Sequence, residues 1–311
     1  MTKPIEDKLD KIPIINWVVR FLKKIKLPGF EGLSIYDLIE MYVIGIVRGA
    51  LTSRAGAIAF SFFTAIFPFL IFVLILIPEL PVDNFQEDFR KFLESFLPPN
   101  TSDFFFKNIF EDIANTNRGG ILSSVFLLSI LLMANGVSSV FSGFESSYHV
   151  QFSRNIFKQY LYATGVAIIL AMLVIFTVVV IGYFNIYVIQ NLEERGIIGQ
   201  DQSQTGIVIA KYLFFVIMIY LTTATLYFFG TKEGRLSRFF SIGALFTTLL
   251  IILTSYLFGI YIENFSQYNK LYGSIGALLI LLLYLWLNSN ILLLGFELNA
   301  SLNRLKRRTS L

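Results

Sequence analysis

The chain has 311 residues, of which 55% are hydrophobic and 15% are charged, and its formal net charge is +4. It has no cysteine and a single histidine, His149, so disulfides, thiolate metal sites and sites built from several histidines are excluded. Because soluble domains carry roughly 25% charged residues, this composition predicts a membrane protein, and the helical periodicities along the chain predict an all-α fold.

Residues 1–53 are predicted to form amphipathic helices on the cytoplasmic side of the membrane. Within residues 1–30, apolar side chains recur at helical spacing and basic side chains fall between them. This pattern is typical of a helix that lies on a membrane surface and contacts anionic lipid, and chance periodicity in a solvated tail is the alternative. Ser34 followed by Asp37 resembles a capping box, which predicts the start of a second amphipathic helix.

Six apolar stretches predict a six-span helical bundle over residues 54–300, because about 20 apolar residues in a helix cross a bilayer core of about 30 Å. The predicted spans are 55–77, 120–141, 160–189, 206–229, 239–262 and 273–296. Pro68 lies within the first and predicts a kink, since proline removes a backbone hydrogen bond. The acidic loop 79–119 carries phenylalanines at helical spacing and predicts two short amphipathic helices, and residues 301–311 form a basic cytoplasmic tail.

Polar side chains in or beside these spans are candidate site residues, because unpaired polar groups are costly in lipid. The candidate polar path consists of Asn135, Ser138, Ser139, Glu145, Asn288, Asn290 and Glu297. These residues either line a substrate path or form hydrogen bonds between helices, and the second interpretation is favoured for the group around Asn135. Glu297 is either a functional carboxylate or the ion-pair partner of a basic residue on the cytoplasmic side, Arg54 or another, since Arg54 and Glu297 are both expected near the inner surface.

Basic residues predict the orientation of the chain. With six spans, 18 of the 25 lysines and arginines fall on the side that holds both termini, and the remaining 7 fall on the other side. Because lysine and arginine are retained in the cytoplasm, both termini are expected to be cytoplasmic.

Four stretches resemble the YihY/BrkB family of bacterial inner-membrane proteins, some of which are still labelled ribonuclease BN. They are the span start 54–69 with its small residues and late proline, the polar segment 135–148, the segment 235–244, and the last span from Tyr272-Gly-Ser-Ile-Gly-Ala277 to Leu294-Gly-Phe-Glu-Leu-Asn-Ala300. The last is the most specific, because Gly-x-Glu-Leu-Asn is an unusual end for an apolar span. The resemblance covers about residues 30–300 and implies a six-span inner-membrane bundle, but no agreed biochemical activity.

The leading functional hypothesis is transport or translocation of a lipid-like or amphipathic substrate. The alternative is a non-transport scaffold or regulator of the envelope, whose protein partners the sequence does not identify. A ribonuclease is the least favoured, because phosphodiester cleavage commonly uses clustered metal-binding carboxylates or histidines, whereas His149 stands alone. We therefore expect no enzyme activity, catalytic site, cofactor, metal or nucleic-acid partner, and membrane lipids as the surroundings.

The orientation can be tested with a reporter fused after Leu311. An enzyme reporter that is active only in the cytoplasm is expected to be active in this fusion, because the basic side of the chain is retained inside. A reporter that is active only outside the cytoplasm, fused at the same position, serves as the matched control. Activity of this second reporter alone would contradict the predicted orientation.

Overall fold

The computed structural model describes residues 13–26, 34–37, 39–40, 51–76, 121–147, 154–183, 200–232, 234, 238–264 and 274–309. The regular secondary structure in these ranges is helical. The one β-contact among them is an isolated bridge between Lys26 and Ser34. The helices are α1 (Pro13–Lys24), α2 (Leu51–Leu76), α3 (Ile121–Glu145), α4 (Ile156–Tyr183), α5 (Gln200–Gly230), α6 (Ile242–Asn264) and α7 (Ser274–Thr309).

Helices α2–α7 are long and apolar enough to cross a membrane, which confirms the prediction of an all-α, six-span protein. Their bounds differ from the predicted spans at some ends. Helix α5 begins at Gln200, before the predicted 206, and α7 continues from its apolar part through the basic tail to Thr309. The predicted helices of 79–119 and the lone His149 lie outside the described residues, as do most residues of the second amphipathic helix.

The N-terminal region has the local structure that its sequence pattern predicts. The hydroxyl and backbone N–H of Ser34 donate to Asp37 Oδ2 over 2.6 and 2.7 Å, and the backbone N–H of Asp37 donates to Ser34 Oγ over 3.3 Å. These reciprocal bonds form the predicted capping box, with aspartate in place of the usual glutamate. Lys23, in the last turn of α1, lies over the ring of Tyr36 at 4.6 Å, so α1 is tied to this segment.

The six long helices form a closed ring, in which each packs on its neighbours in sequence and the first packs on the last. Contacts run from α2 to α3, and on through α4, α5 and α6 to α7, which returns to α2. We call this arrangement the helix ring. Its closing seam lies between α2 and α7, two helices that are separated by most of the chain.

Apolar side chains fill the interior of the helix ring. Residues of all six helices contribute to one buried cluster, in which α6 is represented by Ala244. At one end of it, the ring of Phe144 from α3 stacks on Phe296 from α7 with centroids 4.2 Å apart, and both meet the edge of Tyr227 from α5. Offset and edge-on aromatic contacts of this kind favour tight packing. Pro68 is also buried, inside α2, and its predicted kink stays a prediction.

Two glycines allow α6 and α7 to approach closely. A Cβ atom added at Gly243 would lie 2.5 Å from the carbonyl oxygen of Gly295, and one added at Gly295 would overlap the hydroxyl of Thr247. The Tyr227 hydroxyl reaches the same crossing, where it donates to Leu292 O over 2.7 Å. Small residues at helix crossings are typical of membrane proteins, because they bring backbones into contact.

Substitution of Gly243 by alanine is expected to destabilise the protein, because the new methyl group would overlap backbone at the α6–α7 crossing. Overpacking of this kind typically costs about 1–3 kcal/mol. The control is Gly259→Ala on the same helix, where an added Cβ meets nothing within 4 Å. Melting temperatures in detergent should fall for the first variant and stay equal or rise for the second. Equal melting temperatures for both would contradict the close crossing.

Candidate functional site

A buried ion pair joins the first and last membrane helices. Arg54 Nη2 on α2 lies 3.2 Å from Glu297 Oε1 on α7, and the two side chains are 10% and 11% exposed. The second oxygen of Glu297 accepts a 2.7 Å bond from the hydroxyl of Ser147, and Arg54 Nη1 donates to the carbonyl of Gly143 over 3.0 Å. The pair therefore also holds the end of α3, where the arginine compensates a C-terminal carbonyl.

A second arginine makes an equivalent joint between α3, α4 and α5. Arg154, just before α4, is 8% exposed, and its Nη1 donates to the carbonyl of Phe229, at the end of α5, over 2.6 Å. Its backbone N–H lies 3.2 Å from both carboxylate oxygens of Glu145, and its guanidinium lies 4.9 Å from the ring centre of Tyr162. Glu145 is thus engaged by backbone at the end of α3.

Asn299 satisfies the first turn of α6. Its Oδ1 accepts a 2.9 Å bond from the backbone N–H of Gly243, and its Nδ2 donates to Ser241 Oγ over 2.7 Å. The first N–H groups of a helix have no partner within the helix, so this side chain of α7 acts as a cap supplied by a neighbour. We call Arg54, Glu145, Ser147, Arg154, Glu297 and Asn299 the polar layer, since together they join all six helices at one end.

The outer face of α3 carries a different set of polar side chains. From the middle of α3 to its end at the polar layer, the set consists of Asn135, Ser138, Ser139, Ser142 and Ser146. We call this set the α3 stripe. Asn135, Ser142 and Ser146 are exposed, and the other two are half-buried. The stripe is about 16 Å long at 1.5 Å per residue, which is about half of a bilayer core of about 30 Å. Asn135 lies at the middle of the candidate span Phe126–Glu145.

Neighbouring helices border the α3 stripe on both sides. On one side, the hydroxyl of Ser139 lies 3.4 Å from the carbonyl of Ala57 on α2. On the other, Gln159 of α4 donates to Ser142 Oγ over 2.7 Å, and Tyr160 donates its hydroxyl to Leu131 O over 2.5 Å. The stripe therefore lies on the strip of α3 between its contacts with α2 and its contacts with α4, and we call this strip the groove.

The apolar continuation of this groove begins one turn beyond Asn135. Leu127, Leu128, Leu131 and Leu132 are exposed on the outer face of α3, at 42–62%. No described residue forms a hydrogen bond with the side chain of Asn135, although this amide lies at the centre of an apolar span. A hydrogen-bonding group without a partner at this depth is costly, because hydrocarbon cannot supply the missing hydrogen bond.

The two asparagines of the last span lie apart from the α3 stripe. Asn288 and Asn290 donate to the carbonyls of Tyr284 and Trp286, four residues earlier in the same helix, over 2.8 Å in both cases. Asn288 Oδ1 is buried without a partner among the described residues. The candidate residues thus divide into the polar layer, the α3 stripe and these self-bonded asparagines.

Several residues of the site escaped the sequence reasoning. Arg154 was not among the candidate residues, and Asn299 entered only as part of the Gly-x-Glu-Leu-Asn motif. One signal was available for Asn299: it lies two residues after Glu297, so the two side chains point to nearly opposite faces of α7, towards α6 and α2. Gln159, Tyr160 and Ser147 carry no signal of their own, because their contacts depend on how α3 and α4 are rotated.

Fold and site together define a multi-pass membrane protein, with six apolar helices joined by a buried polar layer. The family described as Virulence factor BrkB matches residues 45–310, which is most of the chain. The protein therefore belongs to the BrkB family, as the resemblance in the sequence indicated.

Two relatives match most of the chain, and a third matches a short segment at higher identity. It is 25% identical over 257 residues to the ribonuclease-like protein YfkH of Bacillus subtilis, covering 82% of this chain and 91% of that one. It is also 25% identical over 252 residues to a UPF0761 membrane protein of Actinobacillus pleuropneumoniae, covering 80% and 87%. A UPF0761 membrane protein of Xanthomonas oryzae is 40% identical over 60 residues, which are 19% of this chain and 14% of that one. No solved structure matches.

Removing one partner of the ion pair is expected to destabilise the protein more than removing both. Glu297→Leu leaves Arg54 buried without its counter-charge, and such a loss typically costs about 3–5 kcal/mol, whereas exchange of both partners for apolar residues is often close to neutral. The double variant Arg54→Met with Glu297→Leu should therefore recover much of the lost stability. Lys158→Met, at an exposed position of α4, is the control for loss of a charge.

Thermal unfolding in detergent, reported as the melting temperature of each variant, measures these differences in stability. A double variant that is no more stable than Glu297→Leu alone would show that the ion pair does not couple the two helices.

Proposed function

We propose that this BrkB-family protein moves an amphipathic, lipid-like substrate along the outer face of α3. We place it in the bacterial inner membrane with both termini cytoplasmic. One observation carries the proposal: the α3 stripe is open to the bilayer and holds an amide, Asn135, that no described residue pairs. A polar headgroup in the groove would supply the missing partner, while its acyl chains stay in lipid.

The interior of the helix ring argues for an external route. Most of its buried side chains are apolar, and the polar layer at its end is held by mutual hydrogen bonds and the ion pair. The buried hydroxyls of Thr177, Thr223, Thr248 and Ser289 each donate to a carbonyl four residues earlier in the same helix. A central polar pore would need polar side chains on the inner faces of the helices. A route along the α3 stripe uses polar side chains on the outer face of α3 instead. Substrate movement along the groove between α2 and α4 is therefore the route that the packing supports best.

The groove lowers the crossing barrier over half of the membrane. The stripe runs from the polar layer to Asn135 at the middle of the span, and exposed leucines continue beyond it. A headgroup entering at the polar layer would be hydrogen-bonded up to the bilayer centre. Only the remaining half of the crossing, past Leu131 and Leu132, would lack polar partners, so the unassisted distance falls from about 30 Å to about 15 Å.

A scaffold or regulator of the envelope is the second candidate, because every helix of the ring is tied to its neighbours by packing or by the polar layer. In that function a protein helix would cover the α3 stripe. The ribonuclease-like name of YfkH is not extended to this chain. The two candidate carboxylates of this chain already have partners. Glu297 is bonded by Arg54 and Ser147, and Glu145 is bonded by the backbone N–H of Arg154.

Movement of lipid between leaflets tests the proposal. Purified protein in liposomes is expected to accelerate the transfer of at least one tail-labelled lipid, from a panel with uncharged, zwitterionic and anionic headgroups. Asn135→Leu should slow that transfer by about threefold to roughly 18-fold, because one intramembrane hydrogen bond is worth about 0.6–1.7 kcal/mol.

The matched control is Asn290→Leu, which removes an amide that donates to its own helix. It should leave the transfer rate close to wild type, provided that both variants elute as folded protein. No acceleration of any probe, or equal rates for wild type and Asn135→Leu, would overturn translocation along the stripe and favour the scaffold.

A further inference from the structure

Three basic residues meet where the start of α4 packs on the end of α5. Arg154 donates to the carbonyls of Phe229 and Gly230, at the end of α5, over 2.6 and 3.4 Å. Lys158 lies four residues after Arg154, and Lys232 lies two residues after Gly230, so both lysines flank this joint. Arg154 is buried, whereas the two lysines are exposed. We call Arg154, Lys158 and Lys232 the basic corner.

The charge of the basic corner is only partly compensated. Glu145 is the neighbouring carboxylate, since both of its oxygens lie 3.2 Å from the backbone N–H of Arg154, and the charge of Lys232 also acts on it. Neither Lys158 nor Lys232 forms a hydrogen bond with a described residue. Among the described residues of this joint, three cations thus face one carboxylate, which leaves an excess of two positive charges.

Apolar side chains beside the lysines place this charge at a lipid surface. Ile156 and Phe157, the first residues of α4, are 84% and 83% exposed, and Leu161 in the next turn is also exposed. The candidate span Ile156–Val180 begins at these residues, so Lys158 lies at the end of a lipid-facing helix. A lysine at such a position extends its ammonium group to the headgroup level, while its stem lies on apolar surface. A soluble anion would contact the lysines alone, whereas a phospholipid would contact the lysines and the apolar face together.

We propose that the basic corner binds the phosphate of an anionic phospholipid, whose acyl chains lie on the exposed apolar face of α4. A zwitterionic phospholipid gains less from the same cations, because its headgroup carries a positive charge of its own. Gln159, the residue after Lys158, donates to Ser142 of the α3 stripe over 2.7 Å, so the bound lipid lies near the polar end of the stripe. The proposal concerns binding, goes beyond the proposed translocation and does not depend on it.

Tryptophan quenching measures which lipid lies at the basic corner. Phe157→Trp is made in the full-length protein together with Trp17→Phe and Trp286→Phe, so that one tryptophan reports on this surface. The protein is reconstituted into phosphatidylcholine that contains phosphatidylglycerol with brominated acyl chains, and quenching gives the binding of phosphatidylglycerol relative to phosphatidylcholine. We expect a relative binding constant of about 25 at low salt, because each lysine near a membrane surface contributes about fivefold. A value near one would overturn the proposal.

Variants of the two lysines show whether their charge causes the enrichment. Lys158→Gln with Lys232→Gln should lower the relative binding constant to a few-fold at most, whereas Lys158→Arg with Lys232→Arg, the matched control, should retain it. Tyr256→Trp in place of Phe157→Trp moves the reporter to an exposed position of α6 away from the corner and should give a value near one. Equal values for the glutamine and arginine variants, or equal enrichment at both reporters, would overturn the basic corner as the binding site. Each of these results leaves the proposed translocation untouched, because no lipid movement between leaflets is measured.

Discussion

The buried pair of Arg54 and Glu297 is the constraint on which the arrangement of the helices depends. It lies at the closing seam of the ring, where the first membrane helix meets the last, and both side chains are about nine-tenths buried. Charges at this position are tolerated only with partners, and Ser147 and the carbonyl of Gly143 complete the set. Because those groups come from α3, the pair requires three helices to be in register at once.

The other contacts of the polar layer also pair a polar side chain with a helix end, through different groups. Arg154 donates to carbonyls at the C-terminal end of α5, where a cation is favourable, and Asn299 accepts from the first turn of α6, where N–H groups lack partners. Each side chain compensates a helix end that would otherwise leave polar backbone in an apolar environment. The bundle therefore concentrates its directed interactions at one end and relies on apolar packing and small residues elsewhere.

The sequence was sufficient for the six helices, because their hydropathy and length leave few alternatives, and for the Ser34–Asp37 capping box, because its bonds are local. It also suggested that Arg54 and Glu297 meet, since both lie at the basic end of their spans. The contacts of Gln159 and Asn299 were not predictable, because they depend on how helices far apart in sequence are rotated and shifted against each other. For the same reason, sequence alone left Asn288 and Asn290 in one group with Asn135, although their amides bond within α7.

The asparagines differ in how their amides are paired. Asn290 donates to a carbonyl of its own helix, so one of its N–H groups is paired within α7. Asn135 lies near the middle of its own span on an exposed face, no described residue pairs its amide, and an unpaired amide in hydrocarbon is costly. The serines that lead from Asn135 to the polar layer already bond to Ala57 O, Ser142 O or Gln159, so they continue the polar line without adding unpaired groups. A ligand on this line would pair with Asn135 and share the remaining bonding capacity of the hydroxyls, and a protein helix that covered the line would do the same. Headgroup transfer and scaffold assembly are thus two uses of the same polar line, and they differ in whether its occupant exchanges.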